Sequence, residues 1–343
     1  MTGRIVIGSQ TRITVSDDSD IGECRRSAKR LADGHMFDEV SAGRISIIAT
    51  ELATNIVRHA GRGEVLMQVL NDGTSPEFEL MSIDQGPGME DVDACLRDGY
   101  STGGTAGCGL GAVSRLSCTF DIFSAVGQGT VVLSRSKPDD SRHQRSGPAS
   151  ALELGAINLA VAGEIECGDT WRVADGGSLV SIFVADGLGH GAFAATASQA
   201  AAEVFTARPF DAPAILMQSC HAALAGTRGA AAACAVLRVA DLKVDYAGVG
   251  NIAGTVVTRD GSRGMVSHNG TLGVQLLRSQ QFEYDWPPEG SVVMHSDGLS
   301  ARWNLSAYAG LHLHHSAVIA GVLYRDFVRR RDDVTVVVAC LRK

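Results

Sequence analysis

Val184-Ala-Asp-Gly-Leu-Gly-His-Gly191 ends an apolar run, Leu179–Ala185, with an aspartate, three glycines and a start signal for the Ala-rich stretch beyond it. A carboxylate at the end of a buried strand, beside a glycine whose carbonyl is unobstructed, can ligate a hard divalent cation through side chain and backbone together. The same grammar recurs in Val292-Val-Met-His-Ser-Asp-Gly-Leu299, and Arg331-Asp-Asp333 immediately precedes the apolar run Val334–Leu341. One Asp-Gly is ordinarily a turn. Three aspartate clusters at strand ends are the oxygen donors that a two-ion site needs, because like charges gathered without cations are strongly destabilising. Two such ions would activate water near neutral pH and stabilise in-line attack on a phosphate ester.

Around these clusters, Ala232–Val239, Val244–Gly248 and Ser291–His295 read as further short strands, and Ala192–Phe205 and Ala212–Ala225 as helices. This predicts antiparallel sheets flanked by helices. Upstream, the segment 134–150 carries two prolines and no apolar periodicity, so a linker is expected at 138–150, between domains at 1–137 and 151–343. At 343 residues the chain exceeds one ordinary core. With 45% hydrophobic and 20% charged residues it should fold. A net charge of −8 without a dense basic tract argues against nucleic acid as partner. Eight cysteines without a C-x-x-C pair argue against a zinc knot or disulfide framework. No secretory leader or long apolar span is read, so no membrane is expected and the default address is the cytoplasm.

The first half reads strand, helix, helix, strand, strand, loop, helix, strand, strand, closing with Thr119–Ser124 and Gly129–Ser134. On an expected helix Arg44–His59, Glu51 and Asn55 share a face, while Ile45, Ile48, Leu52 and Ile56 form an apolar stripe. A carboxylate beside a carboxamide can polarise a nucleophile and hold Mg²⁺, although the pair alone reads more readily as a solvated face. In Ile83-Asp-Gln-Gly-Pro-Gly-Met89 an aspartate enters a glycine turn, where it can accept the exocyclic amine of adenine. The stretch 99–116 is rich in glycines, whose free N–H groups can cradle phosphates where a helix begins.

Glu51-x-x-x-Asn55, Asp84-x-Gly-Pro-Gly88 and Gly107-x-Gly-Leu-Gly111 resemble the N box and two glycine boxes of the GHKL ATPases. Asp98-Gly-Tyr-Ser-Thr-Gly-Gly104 resembles the RsbT branch of anti-sigma-factor serine/threonine kinases. This resemblance covers about residues 10 to 135 and implies a Bergerat α/β sandwich binding ATP with Mg²⁺. It also implies Glu51 as general base, Asn55 as Mg²⁺ ligand, Asp84 as adenine reader, and Gly86, Gly88, Gly107, Gly109, Leu110 and Gly111 around the nucleotide. Cys167-Gly-Asp169, Asp186-Gly-x-Gly-His-Gly191, Ser296-Asp-Gly298 and Asp332-Asp-x-Thr335 resemble the SpoIIE/RsbX branch of the metal-dependent (PPM) phosphatases. That implies an α+β fold, an αββα sandwich, holding two Mn²⁺ or Mg²⁺ at Asp186, the Gly187 carbonyl, Asp297 and Asp332, with Asp169 as a further ligand. Asp333 is the alternative to Asp332, which is favoured. His190 is expected to support its loop rather than act as an acid, and a metal role for His312, His314 and His315 is disfavoured.

Together the two resemblances imply a partner-switching regulator, with a kinase and a phosphatase acting on a STAS-type antagonist protein and with stressosome components as further partners. Two alternatives stay open. One is a phosphatase whose first half senses ATP or docks a partner, and the other is a non-catalytic binding switch.

Overall fold

The computed structural model describes residues 4–341 except 74, 97–108, 139–151, 260 and 277. It divides into two compact units, Gly8–Pro148 and Ala149–Lys343, and the second also includes Met1–Ile7. The strands and helices, in chain order, are β1 (Arg4–Val6), β2 (Gln10–Val15), α1 (Asp18–Asp33), α2 (Glu39–Asn55), β3 (Gly63–Leu70), β4 (Glu77–Asp84), α3 (Val92–Leu96), α4 (Gly109–Leu116), β5 (Thr119–Ser124) and β6 (Thr130–Ser136). Then come β7 (Leu152–Leu159), β8 (Asp169–Asp175), β9 (Leu179–Gly187), α5 (Ala192–Ala207), α6 (Pro213–Ala223), β10 (Ala230–Arg238), β11 (Lys243–Val249) and β12 (Ala253–Thr258). After these follow β13 (Gly261–Met265), β14 (Ser267–His268), β15 (Gly270–Thr271), β16 (Gln275–Leu276), β17 (Phe282–Asp285), β18 (Ser291–His295), α7 (Ser316–Phe327) and β19 (Val334–Leu341).

In the unit Gly8–Pro148, five antiparallel strands run in the order β2-β3-β4-β6-β5. One face carries the helices. Ile45, Ile48 and Leu52 of α2 and Cys24, Ala28 and Ala32 of α1 are fully buried in a core shared with Val65, Phe78 and Val113. The predicted helix starts earlier than Arg44, because Asp38 caps it: its carboxylate accepts the Ser41 N–H at 2.9 Å. It also ends differently, giving way at Ile56–Ala60 to a π turn.

The second unit stacks two sheets, antiparallel throughout except that β14 runs parallel to β11. One has the order β1-β8-β9-β10-β11-β14, with β17 also on β11, and the other the order β13-β12-β18-β19-β7. Helices α5 and α6 pack on the first and α7 on the second, completing the αββα sandwich. Small side chains permit the close layering: Ala197, Ala201 and Ala202 of α5 and Ala232 of β10 are all buried against Phe183 and Phe205. Strand β1, grouped with the first half in the sequence reading, pairs instead with the edge of β8, Arg4 opposite Asp175 and Val6 opposite Val173. Ile5 packs against that same core, so burial outweighs proximity in sequence. The expected linker lies outside the described residues apart from Pro138.

Candidate active sites

In the first unit, Glu51 and Asn55 sit half-buried on the last turn of α2, where the apolar stripe on the other side fixes which way they face. Gly109, the first residue of α4, stands directly over them. A Cβ there would lie 3.3 Å from Asn55 Oδ1 and 3.4 Å from Glu51 Oε2. Among the described residues the buried Asn55 Nδ2 meets no hydrogen-bond partner. A buried donor left so is worth about 1–3 kcal/mol of destabilisation, which a polar ligand would relieve. Asp84 ends β4, and its Oδ1 accepts the Gly86 N–H at 2.8 Å. Gly86 and Gly88 answer first to packing: a Cβ on Gly86 would approach Ala60 Cβ to 2.8 Å, and one on Gly88, at φ +73°, would collide with the Ala125 carbonyl. Leu110 packs against the core and Gly111 is buried. Gly107 and the segment 98–104 lie outside the described residues. Sequence reasoning missed Thr130, which is paired across the sheet with Asp84 and whose hydroxyl stands 2.9 Å from that of Ser124.

In the second unit the register of β8 on β9 sets Asp169 directly opposite Asp186. Asp186, Asp297 and Asp332 line one cleft together with Gly189, Asn251 and Asn269. Burial, then the charges of Asp169, Asp297 and Asp332, pushes the Asp186 carboxyl up to about 9. Burial likewise pushes Asp169 up to about 7, against the Ser296 hydroxyl, which donates to its Oδ2 at 2.6 Å. Among the described residues no three acidic, thiol or imidazole groups already stand in ion-holding geometry. The cleft offers crowded, desolvated oxygen donors, the chemistry that suits Mg²⁺ or Mn²⁺.

The structure separates the surroundings of the two adjacent aspartates. Asp333 is buried, and its two oxygens accept the N–H groups of Val161 and Gly168, each at 2.8 Å. Asp332 faces the cleft instead. Gly187 is dictated by packing, since a Cβ would collide with the Ala194 carbonyl in α5. His190 pairs with Glu164 at 2.7 Å and does not line the cleft. His315 caps α7, its Nδ1 accepting the Ala317 N–H at 3.0 Å.

Two supports went unread in the sequence. Asn251 Nδ2 donates to Asp297 Oδ2 at 2.8 Å, joining residues 46 positions apart. Buried His295 places Nδ1 2.8 Å from the Ser296 carbonyl, which can only accept, so Nδ1 carries the hydrogen; Nε2 accepts from Trp303 Nε1 at 3.2 Å. The ring is therefore neutral, and burial holds its pKa below the usual histidine range.

Residues 14–135 match the family described as histidine kinase-like ATPase domain, and residues 176–342 match stage II sporulation protein E (SpoIIE). The class is thus a two-domain chain joining an RsbT-like GHKL kinase domain to a SpoIIE-type PPM phosphatase domain. Over 126 residues, 37% of this chain, it is 32% identical to serine/threonine-protein kinase RsbT of Bacillus subtilis (strain 168), of which it covers 95%. By this domain the chain belongs to the RsbT family. A solved chain described as part of the bacterial stressosome, a modular system adapted to control secondary messenger signalling, is 29% identical with a TM-score of 0.52. That likeness covers 55% of this chain and 98% of the other.

Proposed function

We propose that this chain sets the phosphorylation level of a STAS-domain antagonist protein, its first domain adding phosphate from ATP to a serine or threonine and its second removing it. The observation that supports this most is the cleft where Asp186, Asp297 and Asp332 converge from three strand ends, with Asp169 behind them. In this reading Asp186, the Gly187 carbonyl, Asp297 and Asp332 hold two Mn²⁺ or Mg²⁺. Asp333 shapes the approach through Val161 and Gly168. The ions, when bound, supply charge neutralisation and an activated water. Asn251 orients Asp297, and Ser296 orients Asp169.

In the first domain Asn55 would hold Mg²⁺ and Asp84 the adenine amine, with Gly86, Gly88, Gly107, Gly109, Leu110 and Gly111 around the phosphates. Glu51 would take the proton of the acceptor hydroxyl as the hydroxyl oxygen attacks the terminal phosphorus of ATP and ADP leaves.

The test incubates the full chain with labelled ATP, Mg²⁺, Mn²⁺ and a STAS-domain protein encoded beside it. Label should reach the STAS protein, accumulate further with Asp297→Asn and vanish with Glu51→Ala. Absence of label with both wild type and Asp297→Asn refutes the kinase assignment. Loss of label from the pre-phosphorylated protein at an unchanged rate in Asp297→Asn refutes the phosphatase assignment.

A further inference from the structure

Among the described residues lining the phosphatase cleft there is no lysine or arginine. The aspartates around it would absorb most of the charge of two divalent ions, so a dianionic phosphate ester needs a further cationic donor. Arg228 stands at the rim. It is exposed on the turn before β10 and has no carboxylate partner among the described residues. Its guanidinium carbon lies 4.8 Å from the ring centroid of Phe193, at the start of α5, an arrangement that stacks and pre-orients the planar group. A Cβ on Gly189, a residue that lines the cleft, would come within 3.3 Å of Arg228 Nη1. The guanidinium therefore lies against bare backbone, with no side chain of Gly189 between it and the cleft. The Leu188 N–H donates to the Gly229 carbonyl at 3.0 Å, which fastens the Asp186 loop to the turn that carries Arg228.

Resting on the phosphatase reading above, we infer that Arg228, held by Phe193, grips the phosphoryl group of the substrate at the mouth of this cleft. A planar fork matches two phosphate oxygens at once, which the point charge of a lysine cannot do. Phe193 is a positioning residue, while Arg228 touches the substrate.

The experiment titrates inorganic phosphate into the Mn²⁺-loaded full chain by calorimetry, alongside hydrolysis of para-nitrophenyl phosphate. Arg228→Ala should weaken phosphate by about tenfold or more, the loss expected for a charge-assisted contact. KM should rise by the same factor while kcat and Mn²⁺ affinity stay near wild type. Arg228→Lys should recover part of the loss. Phe193→Ala should show a smaller one, restored by Phe193→Tyr. Phosphate affinity in Arg228→Ala within about twofold of wild type overturns the assignment, as does a matching fall in Mn²⁺ affinity. A wild-type chain that binds phosphate but hydrolyses no ester refutes the phosphatase reading instead, and the phosphate titration still decides the role of Arg228.

Discussion

Stripping divalent ions with a chelator and raising the pH from about 6 to about 8 tests the crowded carboxylates directly, because the Asp169–Asp186 pair then has only protons to relieve it. In the folded, metal-free state burial and neighbouring charge keep one proton on the pair until about 9, whereas the unfolded chain releases it near 3.8. A carboxyl whose folded pKa is raised contributes its full stability below the unfolded value and loses it as the pH climbs toward the folded one. The slope is about 1.4 kcal/mol per pH unit for each retained proton, so two units remove about 2.7 kcal/mol through Asp186 alone, and Asp169, raised to about 7, adds to the loss at the lower end of the range. For a unit of this size that lowers the melting midpoint by about 5–10 °C. Saturating Mn²⁺ replaces the proton and should flatten the slope. Thermal melts across this range, in chelator and in Mn²⁺, provide the assay, with Asp186→Asn as the matched variant. The variant should melt with little pH dependence in chelator and gain little from Mn²⁺, while the histidines contribute equally to both proteins. A metal-free midpoint that stays level in the wild type, or an equal slope in Asp186→Asn, refutes the reasoning.

Two further outcomes follow from single contacts. Gly298→Ala would drive a Cβ into the Asp333 carbonyl and should destabilise the second unit by about 3 kcal/mol or more, read as a lowered denaturant midpoint with the first unit unaffected. Trp303→Phe keeps an aromatic side chain but leaves His295 Nε2 without its donor in a buried site, which should cost about 1–3 kcal/mol and loosen the Ser296–Asp297 turn, seen as faster amide exchange there.

Much of this arrangement was readable in advance because strand ends announce themselves. The runs at 291–295 and 334–341 are β18 and β19 to the residue, and the aspartates placed at the ends of three strands meet in one cleft. Local chemistry could not decide between Asp332 and Asp333. That choice depends on which carboxylate receives the amides of Val161 and Gly168, far away in the chain. Helix α7 escaped notice for a different reason: Ser316 to Arg325 are all buried, so no polar face marks its period. Strand β1 is three residues long and gains its identity only from β8.

The residues that went unread share one property. Asn251 and Trp303 support the segment that carries Asp297, and each reaches its target across a fold contact rather than along a motif. Motifs record groups that touch an ion or a phosphate and must therefore be of one type. A supporting group need only deliver a donor to a given place, which a different element can do in a different chain. On this argument Asn251 should tolerate replacement by another short donor better than Asp297 tolerates Asn, because only the latter exchange removes charge from the cleft.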